Sequence, residues 1–133
     1  MNDENVIEEP TNQNDDNDKN VNSILLSIKK LLGIDSSFSN FDPDIILHIN
    51  SVFTNLKQLG VGPKNGFRIT GGDEEWSDFI DDEEQQLDAV RTYMYLKVKL
   101  VFDPPLNGSV MESMKETIKE LEWRLINDED RRS

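Results

Sequence analysis

Apolar side chains recur with a helical period over most of this chain. Ile24, Leu25, Ile28, Leu31 and Leu32 share one face, which predicts a helix from about Ser23 to Leu32 that stops at Gly33. Asp42 is placed to cap a second helix, Pro43 suits its first turn, and Asp44 favours the positive end of the dipole. Ile45, Ile46, Ile49, Val52, Phe53, Leu56 and Leu59 then form its stripe, ending at Gly60. Between these helices a Ser-rich linker carries Phe38 and Phe41, two residues expected to pin it to the core.

The stretch from Gly60 to Gly66 reads as a loop from its Gly, Pro and Asn content. Phe67 to Thr70 has room for one short strand, with no evident partner, and Glu74 to Ile80 for a short helix burying Trp76, Phe79 and Ile80. The main helix is predicted from Glu84 to Phe102. Leu87, Val90, Met94, Val98, Val101 and Phe102 make one face, and Ala89, Tyr93, Leu96 and Leu100 a second. So wide a band belongs to a helix contacted from two sides. Asp103-Pro104-Pro105 ends it. Ser109 and Glu112 have the spacing of a capping box for a last helix, whose stripe is Val110, Met114, Ile118, Leu121 and Leu125. That helix is expected to fray near Asn127.

The first 22 residues differ from the rest, with seven acids against one base and little apolar side chain. Such a segment cannot offset its ordering entropy by burial, so disorder in isolation is expected. The organisation expected is therefore an acidic extension (1–22), a helical domain (23–126) and a mobile C-terminal tail (127–133). The fold class is all-α: a small bundle of four to five helices with mobile termini and a central loop.

Charge narrows the function. The 133 residues carry 27 acids and 14 Lys or Arg, a net −13, which opposes electrostatic wrapping of duplex DNA. Cysteine is absent, removing disulfides, thiolate metal sites and cysteine nucleophiles. No apolar run reaches a membrane span, and the N-terminus has no signal-peptide pattern. A soluble, intracellular protein without membrane contact is expected.

Candidate chemistry is sparse. Asp16-Asn-Asp18-Lys-Asn20 begins like a calcium loop, but Val21 and Ser27 occupy positions that need Gly and Glu. Eight acids between Asp73 and Glu84 flank two predicted helix starts, where dipole and solvent accommodate them. His48 lies on or beside the apolar stripe without a nucleophile motif, as a core-edge or interface residue does. Gly60, Gly62 and Gly66 lack phosphate-loop spacing. Tyr93 with Lys97 and Tyr95 with Lys99 read as core-flanking rings with snorkelling lysines. No enzyme, cofactor or metal site is expected.

Four segments, in order, resemble the head–tail connector (adaptor) proteins of tailed bacteriophages. They are His48 to Pro63, Trp76 to Phe79, Gln86 to Pro105 and Met111 to Leu125. The resemblance implies a structural virion protein forming a homo-oligomeric, dodecameric ring beneath the portal. It also implies a stopper or tail-completion protein as the other neighbour, with DNA only passing through the channel. The acidic extension has no counterpart in the resemblance. Candidate interface residues are Gly60, Val61, Gly62, Pro63 and Arg68 in the loop, with Arg131 and Arg132 in the tail. A second class stays open: an acidic phage interaction protein, such as a DNA mimic that inhibits a host nucleic-acid enzyme.

Overall fold

The computed structural model describes residues 22–81 and 84–132, with side chains at 84–85 and 128–132 left aside. Five helices follow among the described residues: α1 (Ile24–Leu31), α2 (Asp42–Gln58), α3 (Trp76–Phe79), α4 (Glu84–Phe102) and α5 (Gly108–Arg132). The architecture is all-α, as expected. The first 21 residues, read as disordered from composition, lie outside the described residues.

The expected two-sided packing of α4 is present. It lies against α5 on one side and α2 on the other, with α1 beside it. Val90, Tyr93, Met94 and Val98 are fully buried at its centre. Val101, assigned to the same stripe, is exposed instead and borders a surface groove. Ile118, Leu121 and Leu125 bring the buried stripe of α5 onto this core.

α1 is capped by Ser23, whose Oγ accepts from the Leu26 amide at 3.2 Å. Gly33 stops it at φ +81°, a left-handed conformation open to glycine. The linker to α2 is held differently from expectation. Phe38 and Phe41 stack edge to face with centroids 5.4 Å apart but stay exposed. Lys29 does the pinning: it is buried and donates to the Ser36 and Phe38 carbonyls at 3.2 and 2.8 Å. Its ammonium also meets Asp42 at 2.8 Å. Asp42 is accordingly the first residue of α2 and not its cap.

The run Phe67–Thr70 forms no strand, since no second strand lies beside it among the described residues. Its polar backbone is satisfied by one side chain: Asn50 Oδ1 accepts from the Ile69 amide at 2.8 Å, and Asn50 Nδ2 donates to the Ile69 carbonyl at 3.0 Å. Farther on, Ser23 donates to the Gly72 carbonyl at 2.8 Å and makes an isolated bridge with Glu75. Glu74 accepts from the Thr70 amide and hydroxyl. α3 then seats Trp76, whose indole donates to Ser27 at 2.9 Å in the interior.

The start of α5 also departs from the sequence reading. Asn107 Oδ1 accepts from the Ser109 and Val110 amides at 2.8 and 3.3 Å, so Asn107 is the capping side chain. Glu112 is solvent-facing near Lys115. The helix continues past Asn127 to Arg132, beyond the fraying point expected from the pattern.

One part-buried contact between α4 and α5 carries a pH prediction. Tyr93 donates to Glu122 at 2.8 Å. Burial first, and the Glu122 carboxylate second, push its phenol well above the ordinary tyrosine range. A group raised in the folded state contributes stability that is complete below its unfolded pKa, about 10, and lost as pH rises beyond it. Thermal melts from about pH 8 to about 11 should show an alkaline loss that Tyr93→Phe removes. An identical loss in the variant would place its source elsewhere.

Candidate functional site

A broad concavity lies on the outer face of α2. Leu47, Asn50, Ser51, Thr54 and Lys57 form one side, and Asn65 to Arg68 form the other. Its volume is about 590 Å³. The α2 residues at this wall follow helical spacing on the side opposite Ile45, Ile49, Val52 and Leu56, which are buried. Phe53 is buried beneath the groove in an aromatic group with Phe67 and Phe79. The Phe53 centroid lies 5.0 Å from Phe67 and 4.8 Å from Phe79.

The loop entering this groove is placed by Gly62. At φ +94° its α-carbon passes so close to Phe79 that a Cβ there would sit 2.3 Å from the ring. Of the loop candidates, Val61 is buried in the core, while Pro63 and Arg68 are exposed. Gly60 and Gly62 set the backbone path that presents them. Arg131 and Arg132 fall in the last turn of α5, with their side chains outside the description. Of the loop candidates, Arg68 lines the groove, and Gly60 to Pro63 are not part of its wall.

The groove is cationic in an acidic protein. No acid occurs between Asp44 and Asp73, whereas Lys57, Lys64 and Arg68 all do. Among the described residues none of these three makes an ion pair, in contrast to Lys29, Lys99, Lys115 and Arg124. Sequence reasoning singled out Arg68 but missed Leu47, Asn50 and Lys57. The acid-free interval was the signal available for Lys57.

A second groove, of about 560 Å³, runs between Leu32, Ile34 and Phe41 on one side and Val101 and Phe102 on the other. His48 lines it with Asp44 and Asp103. This half-buried position is the core edge expected for His48. A third surface is Trp123, 69% exposed on the outside of α5. The remaining sequence candidates are accounted for locally. Tyr93 is buried with Lys97 Nζ 5.7 Å from its ring centroid, and Lys99 pairs with Asp103 at 3.4 Å. In the acid run, Asp78 accepts from the Glu75 amide at the start of α3. The calcium-like Asp16–Asn20 motif lies outside the described residues, as do Asp82 and Glu83. Among those described, no three His, Asp or Glu residues cluster as metal ligands, and no helix is long and apolar enough to cross a membrane.

These features define a small all-helical protein whose open grooves and exposed aromatics suit contact with other macromolecules. The profile of a family described as phage connector protein matches residues 24–132, from the first residue of α1 to the last of α5. The chain belongs to that family. No curated protein and no solved structure matches it. Membership implies a virion component that meets other phage head–tail proteins. The acidic extension lies outside the matched span.

Proposed function

We propose that this chain is a structural, non-enzymatic adaptor that assembles as a ring between the portal and a stopper or tail-completion protein. The observation that carries the reading is the family match across all five helices. The ring is dodecameric, matches the portal's symmetry and forms part of the DNA channel. The charge suits this role, because an acidic lumen discourages phosphates from adhering as DNA passes. The protein needs no cofactor and makes no membrane contact.

An adaptor must hold two different neighbours and copies of itself. The end of α5, with Arg131 and Arg132, faces the portal and pairs with carboxylates there. Pro63 and Arg68 belong to a second contact surface, carried by the Gly60–Val61–Gly62 turn. Each subunit then offers different faces to different partners, as a head-to-tail ring requires.

Electron microscopy of the purified protein mixed with its portal provides the test. The expected image is a ring coaxial with the portal channel. Separate particles at concentrations where connector complexes assemble would overturn the reading. Truncation after Ile126 should abolish co-sedimentation with the portal and leave the melting temperature within a few degrees, since the removed residues lie beyond the buried stripe ending at Leu125.

A further inference from the structure

We propose that the groove beside His48 receives the outer face of α5 from a second copy of this chain, with Trp123 as the anchor. This contact deepens the ring reading and rests on it, since it names the surfaces that join one subunit to the next.

Geometry supplies the first argument. Two apolar surfaces stay uncovered among the described residues. One is the groove, with Leu32, Ile34 and Phe41 on one wall and Val101 and Phe102 on the other. The other is on α5, where Trp123 and Ile126 are exposed three positions apart. α5 packs on α4 through Ile118, Leu121 and Leu125, and helical spacing puts Trp123 on the side away from them. The groove is built instead where α1 and the start of α2 meet the end of α4. α4 stands between α2 and α5, so the two surfaces face different ways and cannot cover each other within one chain. Between copies they can. A protruding Trp seated in an apolar pocket is a common anchor of protein interfaces. Pairing of two different patches is a head-to-tail contact, which repeats from copy to copy and closes into a ring where the rotation fits.

Charge supplies the second argument, because it selects between the two grooves. Lys119 is exposed one turn before Trp123 on the same stripe and makes no ion pair among the described residues, whereas Arg124 beside Trp123 is paired with Glu120 at 3.6 Å. Asp44 and Asp103 edge the His48 groove. Asp44 is exposed and, among the described residues, also unpaired. The α2 groove has Lys57 and Arg68 at its edge and Asn50, Ser51 and Thr54 along its wall. Lys119 is therefore attracted at the first groove and repelled at the second. The indole meets two apolar walls only at the first.

Trp123→Glu spoils the protruding face and Val101→Glu spoils the groove. Both sites are exposed, so each variant should keep the melting temperature within a few degrees and remain monomeric alone. Mixed, the two variants retain one intact contact between them. With Trp123→Glu isotope-enriched, adding unlabelled Val101→Glu should shift amide resonances within residues 32–48 and 101–103. With the enrichment exchanged, the shifts should fall along 119–126. Adding Lys119→Glu to the Val101→Glu chain should weaken the shifts, and Asp44→Lys in the Trp123→Glu chain should restore them. Absent shifts, or shifts centred on another face, would overturn the proposal. Equal shifts when enriched and unlabelled Trp123→Glu are mixed would overturn it too. Electron microscopy with the portal separates this contact from the ring reading. Rings formed by Trp123→Glu would sink the contact and leave the ring standing. The expected shifts, with no ring of the unsubstituted chain on the portal, would support the contact and overturn the ring.

Discussion

Phe53→Ala is expected to lower the unfolding free energy by about 3–5 kcal/mol, the range for removing a buried aromatic side chain. Phe53 is 1% exposed and belongs to α2, yet its ring contacts are with Phe67 in the loop and Phe79 in α3. Phe67 and Phe79 also meet, at 5.5 Å. The three rings therefore join a helix to a long segment with little secondary structure of its own. Removing the middle ring leaves a cavity that Gly62 cannot fill, because the loop is already pressed against Phe79. Urea denaturation measures the loss. Leu47→Ala is the internal comparison: it lies on the same helix, is 64% exposed, and should change stability by no more than about 0.5 kcal/mol. Similar losses at both positions would show that the aromatic group does not hold the loop.

The contrast between these residues was already visible in the spacing along α2. Ile45, Ile49, Val52, Phe53 and Leu56 share the inward face, and Leu47 falls off it. Periodicity reads burial, which is why α1, α2, α4 and α5 were legible from sequence. It does not read which polar group satisfies which backbone. Asn50 binds both polar atoms of Ile69, 19 positions away, and no local signal marks such a pair. The extended run from Phe67 therefore looked like a strand without a partner. Capping misled for a related reason: several Asn, Asp and Ser side chains near one helix start compete for the same amides. Asn107 prevailed over Ser109 at α5, and Asp42 turned to Lys29 instead of capping α2. The groove was partly legible, through the acid-free interval. Its shape was not, because it depends on how the loop is folded against α2. Trp123 stands off the stripe of Ile118, Leu121 and Leu125, and the fold leaves it outside.

Lys29 is where an unrecorded polar contact should matter most. Position 29 follows Ile28 and precedes Lys30, and nothing local in the sequence marks it for burial. In the fold it is 1% exposed, and its ammonium meets two carbonyls and one carboxylate. Lys29→Ala is expected to cost about 3 kcal/mol, the lower end for breaking a buried ion pair, since Asp42 keeps partial access to water. Asp42→Asn should cost less, about 1–2 kcal/mol, because the lysine retains the Ser36 and Phe38 carbonyls. Once Lys29 is gone, the carboxylate of Asp42 has lost its counter-charge, and neutralising it should then bring little further loss. The double variant is thus expected to be more stable than the sum of the single losses implies, with a coupling of about 1 kcal/mol or more. A double-mutant cycle by chemical denaturation measures it. Losses that add within about 0.5 kcal/mol would mean that the carbonyls alone hold Lys29 and that Asp42 is incidental to the linker. With coupling present, the 34–41 segment is locked to both α1 and α2, which fixes Phe41 beside His48 and Phe102 at the second groove.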